Sequence, residues 1–177
     1  FVFEGGDFAN ASATLVTVSL NDSTTDYAAT PLTIAIDGVS ADLIAGLAAE
    51  SVSVVGLAID ISGFVSLGGN FGFRITGTDI EVAATDVSAQ LAAGDFSVGV
   101  EDGSLAMLLA ADNSIALSAT GTFVFEGGDF ANASATLVTV SLNDSTTDYA
   151  ATPLTISIDG VSADLTAGLN IQSVSVV

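Results

Sequence analysis

The chain has 177 residues, half of them apolar, and sets 21 acidic residues against a single cation, Arg74, for a net charge of −20. One arginine cannot build the basic patch that nucleic acids or anionic membrane surfaces require. With no cysteine, histidine or lysine, the chain lacks disulfides, thiolate or imidazole metal sites, and the base of Ser-His, Cys-His and Ser-Lys mechanisms.

In chain order, Gly5-Gly6 punctuates the opening motif, and a first strand is predicted where Val16, Val18 and Leu20 alternate with Thr17 and Ser19. Pro31 stands just before Leu32, Ile34 and Ile36, which alternate with Thr33 and Ala35. Asp37-Gly38 then predicts a hairpin turn, because glycine takes positive φ without steric cost. Leu57, Ile59 and Ile61 alternate with Ala58 and Asp60, Gly68-Gly69 reads as punctuation, and Phe71, Phe73 and Ile75 alternate with Gly72 and Arg74. Phe96, Val98 and Val100 follow, with Asp102-Gly103 predicting another hairpin turn, and Gly127-Gly128, Pro153 and Asp159-Gly160 repeat the earlier punctuation. Residues 42–49 and 104–111 have helix-compatible patterns but no good caps, so they too read as strands or turns.

Each predicted strand has one large apolar face and one face rich in Ala, Ser, Thr and Gly. Small residues permit close stacking, and the usual lysine defence of edge strands is missing. Edges of this kind are expected to be paired within an array. The phenylalanines Phe1, Phe3, Phe8, Phe64, Phe71, Phe73, Phe96, Phe123, Phe125 and Phe130 are expected to pack in a core, since sugar-binding platforms favour Trp and Tyr.

Residues 1–55 recur as 123–177, at an offset of 122, with five differences: Ala35/Ser157, Ile44/Thr166, Ala48/Asn170, Ala49/Ile171 and Glu50/Gln172. Four of these fall between positions 44 and 50, a segment expected to be exposed. The chain therefore reads as one full repeat, 1–122, followed by the start of a near-identical one, 123–177, in a longer repetitive protein. A fainter sub-repeat at an offset of 52 matches Val65, Gly69, Phe71 and Phe73 to Leu117, Gly121, Phe123 and Phe125. The expected fold is all-β, an elongated repetitive sheet or β-solenoid-like array, with tandem β-sandwich domains as the alternative.

No apolar run approaches the roughly 20 residues that span a bilayer, and no basic segment precedes an apolar one as in a signal peptide. Membrane insertion is not expected. Paired carboxylates could in principle hydrolyse glycosides, but aspartates are common turn formers, and neither an enzyme nor a small-molecule substrate is expected. Calcium is the one cofactor to weigh, because it takes oxygen ligands from Asp, Glu and Asn. The candidate ligands are Glu4, Asp7, Asp22 and Asp26 with their copies Glu126, Asp129, Asp144 and Asp148. They lack the EF-hand spacing and the glycine-rich nonapeptide pattern of calcium-binding β-helices. Arg74 offers either an inter-copy salt bridge or an exposed ion pair worth roughly 0–1 kcal/mol. Asn10-Ala11-Ser12, Asn21-Asp22-Ser23 and their copies Asn132-Ala133-Ser134 and Asn143-Asp144-Ser145 match the N-glycosylation acceptor pattern.

The segments Ala83-Ala84-Thr85-Asp86-Val87-Ser88-Ala89-Gln90-Leu91, Val98-Gly99-Val100-Glu101-Asp102-Gly103-Ser104-Leu105 and Ala116-Leu117-Ser118-Ala119-Thr120-Gly121 resemble the repeats of giant, highly repetitive bacterial surface proteins. That resemblance implies export to the cell surface or beyond, and a role in adhesion or in sheath or fibre formation. The function expected is thus a self-associating extracellular filament, tube or sheath, or else a calcium-rigidified region of a large adhesin.

Overall fold

The structure is a computed structural model that describes residues 1–177 apart from Asp7 and Phe130. Fourteen strands follow one another: β1 (Val2–Glu4), β2 (Ala9–Ser12), β3 (Leu15–Asn21), β4 (Leu32–Ile36), β5 (Val39–Leu43), β6 (Ala49–Ile61), β7 (Val65–Thr76), β8 (Asp79–Ala93), β9 (Phe96–Leu109), β10 (Ile115–Gly127), β11 (Asn132–Asn143), β12 (Leu154–Ile158), β13 (Val161–Leu165) and β14 (Ile171–Val176). No helix occurs among the described residues. The stretches 42–49 and 104–111 are strand and loop, as their missing caps predict.

One open antiparallel sheet holds ten of these strands, in the order β1-β2-β6-β7-β8-β9-β10-β11-β14, with β3 also paired to β6. From β6 to β11 the path is a meander, each strand pairing with the next in sequence. Two separate hairpins, β4–β5 and β12–β13, stand off it. Their turns are Asp37-Gly38 (φ 50° and 82°) and Asp159-Gly160 (φ 47° and 92°). Positive φ at both central positions is the turn whose twist suits a two-residue hairpin. The junction between copies, residues 122 and 123, lies inside β10, so the sheet crosses it without a break.

Asp102-Gly103 and Gly68-Gly69, expected as turns, lie instead in mid-strand, within β9 and β7. They belong to a line of irregularities crossing the sheet: register shifts at Val54/Leu57 in β6, Gly68/Asn70 in β7, Ala84/Val87 in β8 and Thr120/Thr122 in β10. Gly56, Gly69, Asp86 and Asp102 carry positive φ there, at 63°, 139°, 53° and 50°. A bulge adds one unpaired residue and bends its strand, and here they line up at one height across β6 to β10. Asn70 ties this line together: its Oδ1 accepts from Gly56 N at 2.8 Å, while its Nδ2 donates to Thr85 Oγ1 at 3.2 Å and Asp86 Oδ2 at 2.8 Å. The same Asp-Gly chemistry that closes a hairpin thus serves a bulge when the strand continues on both sides.

The two strands of the faint sub-repeat, β7 and β10, both bulge at the matched glycines Gly69 and Gly121. Three antiparallel steps separate them, so they run in opposite directions. Phe73 pairs through β8 and β9 into the row of Leu117, whereas Phe125 shares the row of Val65. The matched phenylalanines therefore lie on opposite sides of the line of bulges.

The buried core does not consist of phenylalanine. It is Ile156, Ile158, Val161 and Leu165 of the β12–β13 hairpin, with Tyr149 and Ala167, set on Ala83, Ala106 and Ala116 of the sheet. Phe1, Phe3, Phe8, Phe64, Phe73 and Phe96 are exposed, and Phe71, Phe123 and Phe125 half-buried; Phe130 lies outside the described residues. Phe71, Phe73, Phe123 and Phe125 belong to the large apolar face of the sheet, which no second described layer covers. Phe96 meets Phe125 edge-on at 5.2 Å.

Candidate functional site

The feature with the most specific geometry is the seat of the β12–β13 hairpin. Register places Ser53, Gly72, Ala83, Ala106, Ser118 and Ser141 side by side in one row across six strands. The next row along, Val52, Phe73, Val82, Met107, Leu117 and Leu142, points to the other face, because strand side chains alternate. The small row is a groove. A methyl built on Gly72 would come within 2.8 Å of Ile158 Cβ, so only glycine lets the hairpin approach this closely. Ala83 and Ala106 are fully buried beneath it, while Ile156, Ile158, Val161 and Leu165 are at most 1 % exposed.

Polar contacts fix the hairpin's position along the groove. Arg74 pairs with Glu81 on the adjacent strand through Nε and Nη2, and its Nη1 donates to the Ser157 carbonyl at 2.9 Å. The ion pair is thus internal to one repeat, and what Arg74 sends between copies is a hydrogen bond to main chain. Ser51 Oγ donates to Asp159 Oδ2 at 3.0 Å, and Thr166 N donates to Ser118 Oγ at 2.9 Å. Ser53 Oγ, under the hairpin, has no hydrogen-bond partner.

The first-copy hairpin, nearly identical in sequence, has no such seat. Ile34, Ile36 and Val39 are 48 %, 66 % and 75 % exposed, where Ile156, Ile158 and Val161 are each 1 %. β3 is in the same position: its copy within β11 pairs with β10 on one side and β14 on the other, whereas among the described residues β3 pairs with β6 alone.

The loops between these elements explain the aspartates and asparagines proposed for calcium. Asn21 is buried; its Nδ2 donates to the carbonyls of Thr25, Ala45 and Gly46 at 2.9, 3.1 and 2.9 Å, and its Oδ1 accepts from Ser23 N and Oγ. Asn143 repeats this with Thr147, Ala167 and Ser145. Asp26 Oδ1 accepts from the amides of Ala28 and Ala29, and Asp148 Oδ1 from those of Ala150 and Ala151. Asp144 Oδ1 accepts from Ile115 N at 2.6 Å. Glu126 Oε2 takes only a long bond from Ser97 Oγ at 3.5 Å. Glu4, Asp22 and Asp129 are exposed, and Asp7 lies outside the described residues. Among the described residues no three such side chains converge on a common point. Of the first-copy acceptor-type asparagine motifs, Asn21 is sealed in its loop while Asn10 is exposed on β2.

Of the second-copy residues at the five differing positions, Ser157, Thr166 and Ile171 touch this seat. Ile44, Ala48, Glu50, Thr166, Asn170 and Gln172 are exposed as expected, but Ala49 is half-buried and so is its counterpart Ile171, which packs against the core. The groove itself was legible in part, as a small-residue face suited to close packing. What sequence reading missed was its occupant.

Comparison with protein families, curated proteins and solved structures finds no match. The site is therefore read from its own geometry.

Proposed function

We propose that this is a structural repeat protein whose 122-residue units extend a single antiparallel sheet into an elongated extracellular filament, tube or sheath. One observation carries the reading. The first-copy segment of β6 and its counterpart β14 lie one period apart in sequence and six strands apart in the same open sheet. Six antiparallel steps are an even number, so the two copies run in the same direction. The step from one repeat to the next is then a shift along the sheet with its accompanying twist, and repeating it lengthens the open sheet.

Main-chain ladders and the hairpin seats supply cohesion, and the charge of −20 keeps neighbouring arrays apart. The protein's partner on this reading is its own neighbouring repeat. Placement outside the cell rests on composition: a cysteine-free, lysine-free acidic chain with unguarded strand edges. At about 4.8 Å per strand, six strands make each repeat about 29 Å long.

Chains lengthened by whole periods test this by X-ray scattering and fibre diffraction. The maximum dimension should rise by about 29 Å per added period, and aligned material should show an axial reflection near 4.8 Å. Compact globules whose size grows only as the cube root of length would overturn the proposal.

A further inference from the structure

We infer that the β4–β5 hairpin is a docking element, and that its receptor is the small-residue groove of a further copy of residues 56–122 placed ahead of it. The inference rests on the proposed end-to-end array and identifies the joint that holds one repeat to the next.

Within one molecule, the same hairpin is present both seated and unseated. Residues 32–36 and 39–43 differ from 154–158 and 161–165 only at Ala35/Ser157. That position contributes its carbonyl to Arg74, a contact indifferent to the side chain. Ile34, Ile36 and Val39, the counterparts of the groove-filling Ile156, Ile158 and Val161, are therefore available and exposed in the first copy, while Leu43, the counterpart of Leu165, is half-buried. The β3 edge points to the same occupant. Residues 116–121 of β10 form the ladder with 138–143 of β11, and the matching residues of β3 have that edge unpaired. A single segment, a copy of 56–122, would supply both the β10 ladder for β3 and the Gly72, Ala83, Ala106 and Ser118 part of the groove, Ser53 lying in the strand beyond it. Joining residue 122 to Phe1 reproduces the covalent sequence already present at Thr122-Phe123.

The copies differ in how firmly they seat. Thr166 Oγ1 lies 3.4 Å from Ser118 Oγ, and its counterpart Ile44 cannot make that bond. Ile171 packs against the core, and its counterpart Ala49 has less to bury. The first-copy hairpin should dock in the same place with a looser rim.

Because the chain has no cysteine, a single introduced thiol reports seating by its rate of reaction with a maleimide. Ile36→Cys and Ile158→Cys are compared in the chain as it stands and in one with residues 56–122 fused ahead of Phe1. In the chain as it stands Ile158→Cys should react at least about tenfold more slowly than Ile36→Cys, since only a local opening exposes it. In the fused chain Ile36→Cys should become protected to a comparable degree. Should it stay fully reactive while Ile158→Cys is protected and the molecule has lengthened, the docking inference fails and the stacked array survives. Protection without lengthening would uphold docking and overturn the array. A second variant needs no fusion: Gly72→Val fills the existing groove and should make Ile158→Cys reactive, and unchanged protection would refute the assignment of the groove as receptor.

Discussion

Two isoleucines, Ile158 and Ile36, occupy the same position of the repeat, yet one is 1 % and the other 66 % exposed. Truncating each to alanine removes the same three carbons, so the difference in cost isolates the groove. At about 0.8 kcal/mol per buried methylene the transfer loss at Ile158 is about 2.4 kcal/mol. The cavity left against Gly72 brings the cost of Ile158→Ala to about 3 kcal/mol, within the usual range for such truncations. Ile36 is about one-third buried, which limits Ile36→Ala to about 0.8 kcal/mol. For a chain of this size each kcal/mol shifts the melting point by about 2–4 °C, so drops of about 6–12 °C and about 2–3 °C are expected. Tyr149, 7 % exposed in the hairpin's core cluster, gives a local readout. With Tyr27→Phe as background it is the single remaining tyrosine, and its fluorescence follows the seat directly in urea. Equal losses at the two positions, within about 0.5 kcal/mol, would refute the claim that the groove holds the second hairpin.

Ser53 is 1 % exposed with an unpaired hydroxyl; Ser53→Ala should raise stability by about 1 kcal/mol by removing that desolvation cost, measured by urea denaturation, while the exposed copy Ser175→Ala should be neutral. Ala48 and Asn170 share a φ of 52°, a left-handed conformation that asparagine tolerates better. Ala48→Asn should therefore stabilise by about 0.5–1 kcal/mol, read as a higher urea midpoint. Asp112 is held below the ordinary carboxylate range by the side-chain hydrogen bond from Ser114 and then by Ser114's backbone amide. A depressed carboxylate stabilises the fold above its unfolded pKa and loses that contribution as pH falls through the folded value. The Asp112 titration followed by NMR should have a midpoint below that of an ordinary aspartate, and Ser114→Ala should move it upward.

Individual strands were readable because period-two alternation is a local property. Val16, Val18 and Leu20 fall in β3, and Phe71, Phe73 and Ile75 in β7, without reference to any neighbour. Dipeptide signals were readable only halfway. Asp37-Gly38 and Asp102-Gly103 both adopt positive φ at aspartate, as their chemistry requires, but whether the chain then reverses or bulges depends on strands pairing across it. Arg74 was placed correctly opposite the phenylalanines. Its partner on the adjacent strand, Glu81, follows from register, and its contact with Ser157, 83 residues away, needed the tertiary arrangement.

By itself the sequence determined an all-β chain, a 122-residue period, strands with one large and one small face, and a composition without histidine, cysteine or lysine. These follow from residue identity and short-range periodicity, which no packing alters. Only the tertiary structure decided which small residues form a groove, that a hairpin from the following copy fills it, and that its near-identical twin does not. Burial is a relation between two surfaces. Ile36 and Ile158 carry the same side chain, and the sheet set against one of them makes the difference.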